Sequence, residues 1–501
     1  MAKKTKASKG PKTPKAPRAP RAPKAPDASK AAGAARPPRP SKAPKAQPVV
    51  EGRVEPIEIG QDGLTVATPR HRYAVPAAVV GDRVTIQPLS MRGRAPLRGR
   101  YQPAHLKRVL EHSKLRVPAP CVVLTRCGAC SLQEMSYRAQ IDEKNAALRR
   151  ALARFGVAPE RVDDVAPLSS PFGFRTKLLM PAETVDGALR FGLYRRGTFR
   201  LTPAEGCPVQ HPLTLATLAL ARPVLEDAGV VATNSKNSEE GWLHALAVRV
   251  DPKSALSELT LCARDDNVPG GKRTIRRLLS LPGVASVFVS ASAERSSYPL
   301  VPPFTHLGGA KRMTFNIGGL ALQLSPGSFV QTNAEAADAL IALVDAQLGD
   351  ERLGAFVDLY GGAGVFARAL AGRWERALVI EENPSAITDL EGYLRTKDAP
   401  KNLRARRGRA EGQLRALAEF GPDVVLLDPP RRGTKPGVVE AIVEAKPRTI
   451  VYVACGFGGL LRDLATLLGG GYQVTRAGGV DMFPHTSHLE VVVRLDRAPS
   501  A

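Results

Sequence analysis

Two residues near the end of this 501-residue sequence have the side chains needed for nucleophilic chemistry. Cys455 directly follows the apolar segment TIVYVA and shortly precedes a helical stretch, LLRDLATLL. A thiol near a helix N-terminus can have a lowered pKa and act as a nucleophile, whereas a single cysteine is more commonly an inert buried thiol. Glu490 stands at the beginning of the last apolar segment, after the loop VDMFPHTSHL. The pair therefore offers a nucleophile and a carboxylate base.

A second group of residues is typical of a nucleoside cofactor site. The apolar segment AFVDLY ends at Tyr360 and leads into the small-residue turn Gly361–Gly364, and the next apolar segment, RALVIE, ends in Glu381. Small residues let the backbone approach a ligand, and an acid after the following strand can accept hydrogen bonds from ribose hydroxyls. A purely structural turn is the alternative. A third apolar segment, DVVLLD, ends in Asp428 before two prolines that fix the shape of the loop.

These residues must be positioned by a sheet whose strands end along one edge. From residue 328 onward a helix, AEAADALIALVDAQL, is followed by apolar segments that alternate with helical or loop stretches. This alternation predicts a parallel sheet covered on both faces, with ligands bound beyond the carboxyl ends of its strands. No helix separates the last two segments, YQVTRAG and LEVVVRL, which predicts an antiparallel hairpin. Glu490 would then lie at the same edge as Cys455.

Composition divides the rest of the chain into further segments. The formal charge is +25, and residues 1–46 carry ten Lys and four Arg against one Asp, together with ten prolines. We predict a disordered basic tail over residues 1–47. Short alternating segments separated by Gly, Asp and Pro predict a small β-barrel over residues 48–112. A mixed α/β domain is expected over residues 113–325, and the sheet with the candidate site over residues 326–501.

Basic residues follow the predicted barrel and suit an RNA backbone, although a solvated surface is an equally good interpretation: Arg92, Arg94, Arg98, Arg100, Lys107 and Arg108. The positive charge of the whole chain also indicates nucleic acid as a partner. No run of about 18 uncharged apolar residues occurs, so we expect no membrane span. The basic N-terminus has no apolar region behind it, which favours a cytoplasmic location. We expect a monomer.

Four cysteines form a candidate metal site. Cys121, Cys127 and Cys130 are clustered, and Cys207 stands alone further along the chain. Four thiolates can bind either zinc or an iron–sulfur cluster, and the spacing does not choose between them. The remaining Cys262 lies in the apolar segment SELTLCAR and is expected to be a core residue.

Several segments together resemble a known enzyme family. FVDLYGGAG, VIEENP, VVLLDPPRRG, VYVAC, RDL and DMFPHTSHLE resemble, in order and spacing, the bacterial class I S-adenosylmethionine-dependent RNA uracil-5-methyltransferases, and PGSFVQTN resembles the segment before their cofactor domain. The similarity covers residues 49–501. It implies a Rossmann-like methyltransferase domain in which S-adenosylmethionine is contacted by Gln331, Tyr360, Glu381 and Asp428. It also implies that Cys455 is the nucleophile and Glu490 the base.

The chemistry of uracil explains these residue types. Uracil C5 is a poor nucleophile, but addition of a thiolate to C6 gives an enolate with electron density at C5. After methylation a base must remove the C5 proton so that the thiol is expelled. The family usually has Ser-Cys-Asn-Pro around the nucleophile, whereas Ala454 and Gly456–Phe457 flank Cys455 here. This difference implies altered polar contacts to the base.

One branch of the family has further features that this chain resembles. The pattern CGxC followed by Gln133 implies a [4Fe–4S] cluster held by Cys121, Cys127, Cys130 and Cys207, and the predicted barrel resembles the branch's TRAM domain. These features favour ribosomal RNA as the substrate, with transfer RNA second. A non-catalytic iron–sulfur RNA-binding protein is a different hypothesis, supported by the altered flanks of Cys455. A methyltransferase acting on cytosine or a small molecule is disfavoured by Glu490 and the Asp428 loop.

Overall fold

The structure is a computed structural model that describes residues 49–59, 64–68, 71–89, 101–195, 198–233, 241–293 and 298–498. The tail predicted over residues 1–47 and four of the basic residues, Arg92, Arg94, Arg98 and Arg100, lie outside these ranges. Within these ranges no helix has both the length and the apolar character needed to cross a membrane.

The first folded segment is a curled β-sheet, as the alternating pattern predicts. Its strands are β1 (Val50–Arg53), β2 (Leu64–Ala67), β3 (Arg72–Val75), β4 (Arg83–Pro88) and β5 (Tyr101–Glu111), in the spatial order β1-β4-β5-β3-β2. An isolated bridge between Val54 and Val66 joins the two ends of this order, so the sheet curls around a buried core that includes Val75, Val84 and Ile86. Strand β1 ends at Arg53, and Val54 continues it only as this isolated bridge.

Helix α1 (Tyr137–Ala153) follows the loop that carries Cys121, Cys127 and Cys130. The Ser136 side chain caps it by accepting a hydrogen bond from the Ala139 amide. Residues 131 and 132 do not join the helix because their amides donate to the carbonyl of His485, at the other end of the chain. The apolar side of α1, with Ile141, Leu148 and Leu152, is buried in the core shared with the C-terminal sheet.

The middle of the chain is a mixed α/β layer, as predicted. Its sheet has the order β12-β11-β10-β9-β6-β7-β8, and helices α2 and α3 pack on it. The elements are β6 (Lys177–Val185), β7 (Ala188–Tyr194), β8 (Leu201–Pro203), α2 (Pro212–Asp227), β9 (Leu243–Asp251), β10 (Leu256–Ala263), α3 (Gly271–Leu279), β11 (Val284–Ala291) and β12 (Phe304–Gly309). Cys262 is fully buried in β10, which confirms that it is a core residue. A hairpin of β13 (Met313–Ile317) and β14 (Leu320–Leu324) follows.

The C-terminal segment is a Rossmann-like sheet with helices on both faces, as the resemblance implies. Its order is β17-β16-β15-β18-β19-β21-β20. Strand β21 runs antiparallel to the other six strands of the sheet, which all run in the same direction. Its elements are α4 (Ala334–Leu348), β15 (Gly354–Leu359), α5 (Val365–Ala369), β16 (Trp374–Glu381), α6 (Pro384–Leu394), β17 (Leu403–Arg407), α7 (Leu414–Phe420), β18 (Val424–Leu427), α8 (Val438–Ala445), β19 (Thr449–Ala454), α9 (Phe457–Gly469), β20 (Tyr472–Val480) and β21 (Glu490–Arg497).

Alternating side chains of the central strands fill both faces of this sheet. Phe356 and Leu426 belong to one core cluster, whereas their chain neighbours Val357 and Leu427 belong to the cluster on the other face. The edge strand β17 was not predicted, because its sequence LRARR lacks the apolar character of the interior strands. The predicted hairpin of β20 and β21 is confirmed, with β21 inserted between β19 and β20.

Candidate active site

The register of β19 and β21 brings the predicted nucleophile and base together. Ala454, the last residue of β19, pairs with Val491, the second residue of β21. Cys455 therefore leaves β19 at the point where Glu490 enters β21. Asp428 directly follows β18, the neighbour of β19 on the other side, and its charge acts on both Cys455 and Glu490. The expectation that Glu490 lies at the same edge of the sheet as Cys455 is confirmed.

The thiol at this edge is not activated in the way its sequence position suggests. Burial raises the pKa of Cys455 to about 12, and the nearby Glu490 and Asp428 carboxylates raise it further than Arg431 lowers it. The prediction of a lowered pKa was therefore wrong. It considered only the helix that begins at Phe457, whereas burial and two neighbouring acids dominate in the folded chain.

Burial and mutual repulsion also raise the pKa values of the carboxyl groups in the site. The pKa of Glu490 is raised to about 8 by burial and by the Asp428 charge, with Arg431 opposing. Burial and the Glu381 charge raise the pKa of Asp428 to about 7. Among the described residues, none forms a hydrogen bond with the buried Oε2 of Glu490. The site therefore contains two acids that are partly protonated at pH 7 and would lose their protons more easily beside a cation.

The glycine turn after β15 is organised around Glu381. Tyr360 and Gly362 have positive φ values of 62° and 57°, so the chain reverses sharply after the strand. The Gly362 amide donates to Glu381 Oε2 at 2.9 Å, and the Asn383 amide donates to Oε1 at 2.7 Å. A Cβ at Gly361 would lie 2.7 Å from the Asp358 Cγ, so only glycine fits there. The carboxylate at the end of β16 is thus held against the turn, with further lone pairs available to a ligand.

The segment that carries Gln331 is attached to the same region. The guanidinium of Arg249 donates to the carbonyls of Ser325 and Ser328, at 2.9 and 3.0 Å, and is itself paired with Glu258. The Asn383 side chain donates to the Gly327 carbonyl at 2.9 Å. Because Asn383 also contacts Glu381, this bond joins the Gln331 segment to the glycine turn. Gln331 itself is half-buried.

The loop after Asp428 packs tightly on the start of helix α9. A Cβ at Gly456 would lie 2.6 Å from the Arg431 Cα and closer still to the Arg431 carbonyl, and a Cβ at Gly459 would lie 2.7 Å from the Arg432 carbonyl carbon. Asp463 accepts from the Thr434 amide at 2.8 Å and anchors the far end of the loop. These contacts account for glycine after the nucleophile in place of the family's usual asparagine.

Sequence reasoning did not single out several residues that shape the site. Arg431 acts on both reactive groups, and its signal was the DPPRRG loop itself. Asp463 lies in the RDL segment, where its acidity within an apolar helix was the available signal. Gln140 and Lys144 contact the loop before Glu490 from more than 330 positions away, and no sequence pattern points to that pairing.

The four predicted metal ligands lie near one another but are not arranged as a metal site. The charges of Cys207 and Cys127 act on Cys130, whose pKa burial raises to about 12, and the charges of Cys121 and Cys127 act on Cys207. Among the described residues, none of the four is joined in a disulfide bond. In the part of the chain that the structure describes, no group of three or more His, Cys, Asp or Glu side chains is placed so as to hold a metal ion. The donor set nevertheless suits a thiolate-ligated cluster.

The residues around the turn suit S-adenosylmethionine. The Glu381 carboxylate accepts two backbone hydrogen bonds and has lone pairs left that could accept from ribose hydroxyls, and no described residue forms a hydrogen bond with the buried Oδ1 of Asp358. Acids with raised pKa values surround the end of β18, where a positive charge would be stabilised. Carboxylates and a glycine turn are the donor set that this positively charged nucleoside requires.

Comparison with known proteins identifies the family. Residues 314–498 match the family model described as tRNA (Uracil-5-)-methyltransferase. An uncharacterized RNA methyltransferase of Nostoc sp. is 30% identical over 426 residues, which cover 84% of this chain and 90% of that protein. The chain belongs to the S-adenosylmethionine-dependent RNA uracil-5-methyltransferase family. It is accordingly an RNA methyltransferase that uses S-adenosylmethionine.

Two further proteins are similar to this chain over most of its length. An uncharacterized RNA methyltransferase of Listeria innocua is 28% identical over 464 residues, which cover 90% of this chain and 99% of that protein. The crystal structure of Pyrococcus abyssi tRNA (uracil-54, C5)-methyltransferase in complex with S-adenosyl-L-homocysteine superposes with a TM-score of 0.69 and 21% identity, over 88% of this chain and 99% of that one. That likeness shows that the two chains share a fold.

Proposed function

We propose that this enzyme methylates C5 of a uridine in ribosomal RNA through a covalent bond between Cys455 and C6. The observation that carries the proposal is the register of β19 and β21, which places Cys455 and Glu490 side by side at the carboxyl edge of the sheet, next to Asp428. In this proposal Cys455 is the nucleophile and Glu490 the base. The residues that contact S-adenosylmethionine are Gln331, Tyr360, Glu381 and Asp428.

In the first step, Cys455 forms the covalent bond to C6 of the uridine. The half-buried thiol gives up its proton to water, and the thiolate bonds to C6 while the C5=C6 electron pair moves to form an enolate with density at C5. Arg431 is the nearby positive charge that favours the thiolate. Because the pKa of free Cys455 is about 12, this step requires positive charge or substrate contacts that only the loaded site provides.

In the second step, Glu490 removes the C5 proton after methylation. When bound, S-adenosylmethionine supplies the methyl group to C5 from its sulfonium. The Glu490 carboxylate then takes the C5 proton, the electron pair returns to C5=C6, and Cys455 leaves as a thiolate. A raised pKa near 8 makes Glu490 a stronger base than an ordinary carboxylate, although a smaller share of it is ionised at pH 7.

The other folded segments would bring the uridine to this site. We propose that residues 48–112 form a TRAM-like RNA-binding domain, residues 113–325 a central domain with the cysteines, and residues 326–501 the catalytic domain. The exposed positions of Lys107 and Arg108 on β5 support the first assignment, since RNA binding relies on such charges. The target must be unpaired or flipped out, because C5 and C6 are not accessible inside a base stack.

We also propose that Cys121, Cys127, Cys130 and Cys207 hold a [4Fe–4S] cluster. Support comes from their mutual proximity, from the two separate loops that contribute them, and from the resemblance to the cluster-bearing branch. Methyl transfer needs no electron, so the cluster would join the two loops rather than take part in the reaction.

Methylation of two purified RNAs tests the proposal. The enzyme is incubated with labelled S-adenosylmethionine and either ribosomal or transfer RNA that lacks 5-methyluridine, and the digested RNA is analysed by mass spectrometry. We expect 5-methyluridine at one position of ribosomal RNA. Cys455→Ala should form none, and Glu490→Gln should form it at a rate lowered by a factor of about 100 or more. Methylation of transfer RNA alone would favour the second substrate, which the name of the matching family model suggests. No 5-methyluridine in either RNA would overturn the proposed function.

A further inference from the structure

The loop that leads into Glu490 is buried rather than exposed. This segment, residues 481–489, is called the hairpin loop here because it joins β20 and β21. Asp481, His485 and Ser487 are all at most 2% exposed. Since Glu490 is the next residue, whatever holds the hairpin loop determines where the carboxylate lies.

Gln140 holds the middle of the hairpin loop. It is fully buried on α1, and its Oε1 accepts a hydrogen bond from the His485 amide at 2.9 Å. Its Nε2 donates to the carbonyls of Leu132 and Met135 at 3.0 and 2.8 Å and lies 3.2 Å from His485 Nδ1. One side chain thus joins the hairpin loop to the segment that directly follows Cys130.

The same face of α1 holds the beginning of the hairpin loop. Lys144, one turn after Gln140, pairs with Asp481 at 2.5 Å, and both side chains are fully buried. His485 has a φ of 64°, a backbone conformation that is unfavourable for a residue other than glycine. Its carbonyl accepts from the Ser131 and Leu132 amides at 2.9 and 3.0 Å, and its ring stacks on Phe172 with centroids 4.4 Å apart. The surroundings therefore impose this backbone shape.

We propose that Gln140 is a positioning residue for the base, so that the cysteine-bearing segment sets the placement of Glu490 through α1 and the hairpin loop. This inference rests on the proposed function. It concerns the step in which Glu490 takes the C5 proton, the C5=C6 bond re-forms, and the bond between C6 and Cys455 breaks. In the described part of the chain, the Gln140 side chain bonds to His485, Leu132 and Met135 and not to β19, so we expect adduct formation not to depend on it.

The test measures both steps in the full-length enzyme with ribosomal RNA containing ordinary uridine. Gln140→Met keeps the volume of the side chain but removes every hydrogen bond. The matched control is Gln347→Met, because Gln347 is also a buried helical glutamine that donates to the hairpin, at the Val492 carbonyl on β21 (3.4 Å). Among the described residues, its side chain has no hydrogen bond to the hairpin loop. Rapid quenching followed by denaturing electrophoresis gives the rates of adduct formation and release.

We expect Gln140→Met to release methylated RNA on the order of 10- to 100-fold more slowly while forming the adduct at nearly the rate of the unaltered enzyme. The adduct with ordinary uridine would then accumulate in Gln140→Met. It would not accumulate in Gln347→Met. Gln140→Glu retains an oxygen that accepts from the His485 amide but sets its second oxygen against the Leu132 and Met135 carbonyls. It should therefore also slow release without slowing adduct formation, and it is the test variant if Gln140→Met does not fold.

Other results would overturn the inference. These are release at the normal rate in Gln140→Met, an equal slowing of both steps, or equal accumulation in Gln347→Met. A control with 5-fluorouridine RNA separates the two levels of the argument, because fluorine at C5 blocks release in any variant. If the unaltered enzyme forms no adduct with that RNA, the proposed covalent mechanism fails, and the role of Gln140 fails with it.

Discussion

Gly456 provides a sharp test of how the nucleophile is positioned. In Gly456→Ala the new Cβ would lie 2.6 Å from the Arg431 Cα and closer to its carbonyl, whereas carbon atoms in ordinary contact are about 3.5–4.0 Å apart. The φ of Gly456 is −122°, which any residue adopts, so the effect comes from the clash alone. Because backbone atoms cannot rotate away, the Cys455 turn or the Arg431 loop must move by roughly 1 Å.

A displacement of that size at the reacting atom lowers kcat/KM on the order of 100-fold, equivalent to about 2.7 kcal/mol of transition-state stabilisation. Overpacking should also lower the free energy of unfolding by about 1–3 kcal/mol. The matched control is Gly458→Ala in the first turn of α9, where a Cβ would meet no atom within 4 Å. Single-turnover methylation and thermal unfolding of both variants provide the measurements. A Gly456→Ala enzyme with the normal rate would refute the close packing of the nucleophile against the Arg431 loop.

The remaining predictions concern the base, the cysteines and the tail. Glu490→Gln should accumulate the RNA adduct with ordinary uridine, seen as a denaturation-resistant band; rapid release would contradict its role as the base. Because the folded pKa of Glu490 is raised to about 8, its burial favours folding at low pH, and this contribution is lost as the pH rises through that value. The melting temperature of the unaltered enzyme should therefore fall relative to that of Glu490→Gln between about pH 5 and pH 8. Parallel plots of melting temperature against pH for the two proteins would count against the buried carboxyl. Cys127→Ser should abolish iron and sulfide binding and the brown colour of the purified protein, whereas zinc in place of iron would exclude the cluster. Deletion of residues 1–46, which carry a net charge of +13, should weaken RNA binding at low salt more than it slows turnover; unchanged affinity would be the opposing result.

Much of the fold and the location of the site follow from local sequence patterns. A uniformly apolar segment such as TIVYVA predicts an interior strand, and the missing helix before LEVVVRL predicts the hairpin that places Glu490 at the same edge of the sheet as Cys455. The polar strand β17 could not be predicted in this way, because an edge strand exposes much of its surface and tolerates LRARR.

The electrostatics and the support of the site depend on contacts between distant parts of the chain. The pKa of Cys455 could not be predicted from its distance to a helix, since Asp428 and Glu490 approach it only in the folded sheet. The hydrogen bonds between Gln140 and His485 join residues 345 positions apart. The sequence segments around Gln140 and His485 contain no periodicity that would reveal this contact. The requirement for glycine at residue 456 likewise arises from the approach of the Arg431 backbone.

The location of the covalent bond tests the central claim most directly. The full-length enzyme is mixed with 5-fluorouridine-containing ribosomal RNA and S-adenosylmethionine, the trapped complex is digested with nuclease and protease, and the modified peptide is sequenced by mass spectrometry. We predict a 5-methyl-5-fluorouridine adduct on the peptide that contains Cys455, absent from Cys455→Ala. An adduct on another residue, or one that persists in Cys455→Ala, would contradict the assignment of Cys455 as the nucleophile.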